Sequence, residues 1–286
     1  MDFKKVVSIV IALIIIMVGA IIFLRFENDR DSKTVSGKRE ISKYKPAEEF
    51  SPVSPKTISS EKKEEASLPK LVIVIDDIGN SKELGDEVLS IKDVTIAIIP
   101  DLKYSLYFAK KGKDFGKDIL VHVPMEPKDS SKYDSGSDIL KVDMNENDIK
   151  RLADKLLSSI PYAIGANNHM GSKFTEYPEK LEPFLQVLKK KNMFFVDSRT
   201  SPDSRAYETT LKLGVKGFKR DIFLDHEITE EKISEQLDKA IDIAIQNGYA
   251  IAIGHPHKET IKVLKTRLGE ISKKVGVVSI SHLKGL

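Results

Sequence analysis

Two adjacent carboxylates, Asp76 and Asp77, close the apolar run Leu71-Val72-Ile73-Val74-Ile75. Two like charges so close raise one pKa unless a cation sits between them. A metal ion taking one carboxylate would leave the other as a general base for water. The bland alternative is one helix cap and one solvated Asp. His122 and Glu126 stand four apart in His122-Val123-Pro124-Met125-Glu126-Pro127, a segment stiffened by prolines. An imidazole and a carboxylate oxygen are both ordinary zinc ligands, although a structural histidine would also fit. Asn167-Asn168-His169-Met170-Gly171-Ser172 is a polar knot. It offers His169 as a metal ligand, with amides such as Asn168 to orient a substrate or neighbouring ligands; an Asn-rich turn is the alternative. In Asp197-Ser198-Arg199-Thr200, Arg199 could pair with Asp197 or with a site aspartate and lower its pKa. A purely structural ion pair is equally open. In Gly254-His255-Pro256-His257, His255 could donate a proton to a leaving group, whereas His257 lies further out. Arg220-Asp221 and Asp225-His226 are weaker candidates, and His282 reads as surface.

What could gather these residues is a shared edge. Asp76, His122, His169, Asp197 and His255 each end or closely follow a short apolar run. Such runs read as strands buried on both faces. Helical patterns lie between them, at Ser105–Lys111, Asn145–Ser159, Pro178–Lys191 and Thr229–Asn247. Strands joined by helical crossovers are parallel, and α/β proteins place their sites at the C-terminal strand edge. Asp143 or Asn145 could cap the second helix, Thr229 starts the last, and Gly248 stops it. Val94–Ile99, ended by Pro100, and a closing Val277–Ile280 add two strands. The expected fold is a (β/α) barrel, complete or distorted, of about seven or eight mainly parallel strands over 69–286.

The chain has 286 residues, 41% of them hydrophobic, enough for one sizeable domain with appendages. With 46 basic and 43 acidic residues the net charge is +3, so there is no electrostatic case for a nucleic-acid partner. The absence of cysteine excludes disulfides, thiolate metal sites and a cysteine nucleophile. No Gly-x-Gly-x-x-Gly and no Gly-rich Lys-Ser/Thr loop is present, so no nucleotide is expected. Gly-x-Ser-x-Gly is absent too, against a serine hydrolase of the α/β type. Val6 to Leu24 is uncharged and follows Lys4 and Lys5. At about 1.5 Å per residue it spans roughly 28 Å, near the hydrocarbon thickness of a bilayer. Residues 1–24 are therefore expected to be a transmembrane helix that anchors the chain to the membrane with its body outside the cytoplasm. A cleaved signal peptide, leaving the body secreted, is the alternative. Residues 25–68 lose apolar periodicity and read as a disordered linker.

Taken together, Ile73-Val74-Ile75-Asp76-Asp77-Ile78-Gly79-Asn80, the His122–Pro127 segment, Asn167–Thr175, Asp197–Thr200 and Gly254-His255-Pro256 resemble the divergent polysaccharide deacetylase family, across essentially all of Pro69 to Leu286. The resemblance implies the distorted barrel of the wider carbohydrate esterase superfamily, which removes N- or O-acetyl groups from polysaccharides with a divalent metal ion. It implies Asp76 as base, Asp77 as metal ligand and His255 as general acid. The superfamily draws two further ligands from a His-x-x-x-His loop. Here His122 matches the first, Glu126 stands at the second, and His169 is expected to complete the set. The expected cofactor is one divalent ion, zinc by preference, and the expected partner an acetylated cell-envelope polysaccharide. Glu126, Asn168, Asp197 and Arg199 would bind substrate or support the site. A non-catalytic envelope protein that binds glycan or a partner through the same cleft is the second hypothesis.

Overall fold

A computed structural model describes residues 68–129, 131 and 138–283. The expected anchor, and the expected linker up to its last residue, lie outside them. Among the described residues no helix is long and apolar enough to cross a membrane.

Nine strands form one sheet: β1 Lys70–Ile78, β2 Thr95–Ile98, β3 Ile119–Met125, β4 Gly165–Met170, β5 Phe194–Asp197, β6 Gly217–Lys219, β7 Ile222–Phe223, β8 Tyr249–Gly254 and β9 Gly276–Val277. Eight follow the path β6-β5-β4-β3-β2-β1-β8-β7, and β9 pairs with the start of β1. Every pairing is parallel. The sheet is thus a curled half-barrel whose path ends at β6 and β7, rather than a closed ring. Among the described residues seven α-helices connect the strands: α1 Lys82–Leu89, α2 Ser105–Asp114, α3 Glu146–Ser159, α4 Pro178–Lys190, α5 Ala206–Lys212, α6 Glu230–Asn247 and α7 Lys258–Ile271. The four expected helices are present within a few residues. Asn145 caps α3 by accepting from Asp148 N–H, Thr229 caps α6 through Lys232 N–H, and Gly248 ends α6 at φ 84°. The short α1 and α5 and the longer α7 were not anticipated. The expected closing strand shrinks to Gly276–Val277, and the chain then turns into a 3-10 helix, Ile280–Leu283.

Side-chain parity decides what reaches the inside of the curl, because successive strand residues face opposite ways. Leu71, Ile73 and Ile75 pack in the core cluster that includes the helices, whereas Val72 and Val74 pack in an inner cluster with Leu120, Val196, Ile251 and Ile253. Ile280 and Leu283 join that inner cluster and plug it. Continuing each inward row by two residues reaches Asp76 from Val74, His122 from Leu120 and His255 from Ile253. On β4, Ala166 faces the helices, so Asn167 and His169 face inward. On β5, Phe195 faces the helices, which turns Asp197 away from the interior.

Candidate active site

Parity would also send Asp77 outward, since it follows Asp76. It does not go there. The β1–β2 register shifts between Ile75 and Ile78, a bulge, and Asp77 adopts a left-handed backbone at φ 56°. The bulge swings both carboxylates to the same mouth. Met170 (φ 54°) and Arg199 (φ 51°) are likewise left-handed, and all three line one cavity of about 410 Å³ at the C-terminal strand edge. Four other non-glycine residues, Asp93, Asp101, Tyr162 and Asn192, are left-handed away from the cavity.

Three ligand-type atoms crowd together there. Asp77 Oδ1 lies 3.1 Å from His122 Nε2 and 2.9 Å from His169 Nδ1. The two imidazole nitrogens are 3.2 Å apart. Yet Asp77 Oδ1 is buried and makes no hydrogen bond of proper geometry. Donors at about 2.0–2.2 Å from a tetrahedral zinc ion lie roughly 3.3–3.6 Å from one another. The cluster is close to that spacing, and its orphaned oxygen suits a cation better than a proton. Among the described residues Asp77, His122 and His169 are a group able to hold a metal ion. A second group, Asp225, His255 and His257, meets the same distance test. There the Asp225 oxygens already accept from His255 N–H, His255 Nδ1 and Thr260 Oγ1.

Charge follows the geometry. Burial works to raise the Asp77 pKa, but the His122 and His169 imidazoles outweigh it and hold the carboxyl well below the usual range. Asp76 goes the other way: burial dominates and raises it, despite His122 and His255 nearby. His122 is raised because Asp76 and Asp77 together overcome its burial. His255 is raised to about 9: burial would lower it, but the bond to Asp225 and the neighbouring carboxylates win.

Asp76 is buried, and its Oδ1 accepts from Asn167 Nδ2 at 2.7 Å. The other side of Asn167 meets His122 Nδ1 at 2.8 Å. Across the cavity His255 presents Nε2, 3.9 Å from Asp77 Oδ2. Its Nδ1 is held by Asp225 Oδ1 at 2.9 Å, and its backbone N–H donates to Asp225 Oδ2 at 2.6 Å. The Phe223 ring stands edge-on to the imidazole, 5.2 Å between centroids. Arg220 completes the far wall, donating to the carbonyls of Ser198 and Arg199.

The structure brings Asp76, Asp77, His122, His169, His255, Asn168 and Arg199 to this cavity. Asn168 shapes its turn, donating to Met170 O and accepting from Ser198 N–H. Arg199 forms no ion pair among the described residues; its guanidinium donates to Pro202 O at 3.2 Å. Two expected residues lie elsewhere. Glu126 does not line the cavity, because β3 runs on through Met125 and four strand residues carry the chain about 13 Å. Its carboxylate instead accepts from Val142 N–H at 2.8 Å and from Lys173 Nζ at 2.7 Å. Asp197 is buried behind the wall, where it accepts from Arg199 N–H, Ser204 Oγ and Tyr207 N–H. His226 and His282 are exposed. Sequence reasoning undervalued Asn167, Arg220 and Asp225. Asp225 follows a strand of two residues that no apolar run announces; only the pairing of Phe223 with Ile253 places it beside His255.

The family described as "Divergent polysaccharide deacetylase" matches residues 73–284. An uncharacterized protein of Escherichia coli K12, YibQ, is 36% identical over 215 residues, 75% of this chain and 67% of that protein. An uncharacterized protein of Haemophilus influenzae is 34% identical over 215 residues, 75% of this chain and 76% of that one. The crystal structure of an uncharacterized protein from Agrobacterium tumefaciens C58 superimposes with a TM-score of 0.73 at 22% identity, over 77% of this chain and 90% of that one. That likeness concerns the fold.

Proposed function

The chain belongs to the divergent polysaccharide deacetylase family, and from that membership we propose that it is a metal-dependent hydrolase removing N- or O-acetyl groups from a cell-envelope polysaccharide. In this reading its barrel works outside the cytoplasm, tethered by the N-terminal segment. The observation that carries the chemistry is the convergence of Asp77, His122 and His169 around a buried carboxylate oxygen that accepts no hydrogen bond of proper geometry.

Asp77 Oδ1, His122 Nε2 and His169 Nδ1 would hold one divalent ion, with zinc suited to two imidazoles and a carboxylate. Such an ion, when bound, polarises a carbonyl and makes water easier to deprotonate. The chain's own groups supply the proton transfers. Asp76 lines the cavity beside that cluster, and its burial raises its proton affinity. It is the group suited to take a proton from water attacking the acetyl carbonyl. His255 is suited to give a proton from Nε2 to the leaving amine or alkoxide, because Asp225 secures the proton on Nδ1. The wall carrying Arg199, Arg220 and Phe223 shapes the space left for the sugar.

Elemental analysis of the purified chain, followed by acetate release from N- and O-acetylated glycans, tests this reading. One divalent ion per chain with release supports it. A chain with full metal occupancy and no release from any acetylated glycan would favour binding without hydrolysis.

A further inference from the structure

We infer that Asn167 is a positioning residue: one amide fixes which nitrogen of His122 is free for the metal cluster and ties that imidazole to Asp76. The inference rests on the metal-site reading above. Asn167 is fully buried on β4 and directly paired in register with His122 on β3. Its Nδ2 lies 2.7 Å from Asp76 Oδ1 and 3.3 Å from Ser198 Oγ. Its Oδ1 lies 2.8 Å from His122 Nδ1.

The donor and acceptor inventory leaves one consistent arrangement. In the ionised form that its role as base requires, the Asp76 carboxylate can only accept, so the amide nitrogen faces it. The amide oxygen then faces His122, and because it too can only accept, Nδ1 carries the proton. That leaves the Nε2 lone pair for the cluster, 3.1 Å from Asp77 Oδ1 and 3.2 Å from His169 Nδ1. The flipped amide would set two acceptors 2.7 Å apart at Asp76 and would call for a proton on Nε2, inside the ligand cluster. Asn167 thus performs for His122 what an outer-shell carboxylate or carbonyl performs for many metal-binding histidines. Because the same amide grips Asp76, it also sets the base against the ligand it serves.

Two substitutions separate the halves of this role. Asn167→Leu removes both contacts at similar volume. Asn167→Asp keeps an acceptor for Nδ1–H but replaces the amide donor to Asp76 by a second carboxyl 2.7 Å away, so that the pair must share a proton. The readout is zinc affinity of the full chain in detergent, by competition with a chromophoric chelator, alongside a thermal melt. Asn167→Leu should bind zinc about tenfold to a hundredfold more weakly, and Asn167→Asp within about threefold of wild type. A merely structural residue would move both variants alike, in step with their melting. Unchanged affinity in Asn167→Leu, or an equal loss in an Asn167→Asp protein that melts normally, would overturn the inference alone. Failure of the wild type to take up zinc would overturn the metal-site reading and the inference with it. If neither variant folds, the zinc-loaded wild type still decides. Long-range ¹H–¹⁵N spectra should show the His122 proton on Nδ1, and a proton on Nε2 would refute the assignment.

Discussion

Replacing Asp225 by Asn should disarm His255 without touching the metal cluster. Asp225 Oδ2 accepts from His255 N–H at 2.6 Å and from Thr260 Oγ1 at 2.8 Å, and Oδ1 meets His255 Nδ1 at 2.9 Å. A backbone N–H cannot turn away, so the amide oxygen of Asn must stay at the Oδ2 position. Its NH₂ group then faces Nδ1 and demands an acceptor there, which forces the neutral Nε2–H tautomer. The imidazole loses one of the partners that hold its pKa at about 9, against 6.5 ordinarily, with Asp76 and Asp77 supplying the rest of the rise against burial. That difference is worth about 3 kcal/mol of preference for the charged ring. The His255 pKa falls, so less of the ring is protonated at pH 7.5, and lost orientation costs roughly 10- to 100-fold. Acetate release at pH 7.5 should therefore fall by at least about one to two orders of magnitude, and the alkaline limb of the pH profile should move to lower pH. The stability term has a definite sign. A raised histidine pKa stabilises fully below 6.5 and loses that contribution as pH rises through about 9. The melting difference between metal-stripped wild type and Asp225→Asn should thus be widest in mild acid and should narrow above pH 9. NMR titration of His255 in the metal-stripped chain reads the shift directly. An Asp225→Asn protein that keeps its alkaline limb and its His255 titration would refute this reasoning.

Asp76→Asn should retain zinc, since Asp76 is outside the three-atom cluster, yet lose about two to four orders of magnitude in acetate release, the usual worth of a positioned base; wild-type rates in the metal-loaded variant would remove Asp76 from that role. His122→Ala should weaken zinc binding by at least about ten- to a hundredfold, whereas the exposed His282→Ala should leave it unchanged; chelator competition distinguishes them. Glu126→Ala should leave zinc content intact and lower stability by about 1.5–3 kcal/mol, because the part-buried Val142 N–H loses a charged acceptor; a loss of zinc in a folded Glu126→Ala protein would place Glu126 in the ligand set. Protease added to intact, wall-stripped cells should remove the barrel domain, and protection until lysis would contradict its placement outside the cytoplasm.

Most of the strand edge was legible in the sequence because buried parallel strands are near-continuous apolar runs, and a polar residue at the end of such a run stands out. Asp76, His122 and His255 were found that way, and parity along each strand accounts for their shared direction. Parity also explains why Asp197 does not line the cavity: it lies one step out of phase on β5. Asp77 shows what local pattern cannot carry, since only a bulge with a left-handed backbone brings it to the cavity. Glu126 stands away from the cavity because β3 runs on through Met125, and spacing within a segment says nothing about where the strand stops. α7 was missed although Ile261, Leu264 and Ile271 recur at helical spacing and are buried. Asp225 and Arg220 depend on pairings between β5, β6, β7 and β8 that no short window contains.

The most direct test is acetate release from an acetylated glycan by the full chain, first stripped with chelator and then reloaded with zinc. The account predicts that release stops on stripping and returns with one equivalent of zinc, as Asp77, His122 and His169 refill. Release that continues undiminished in the stripped chain, or fails to return at full zinc occupancy, would contradict it.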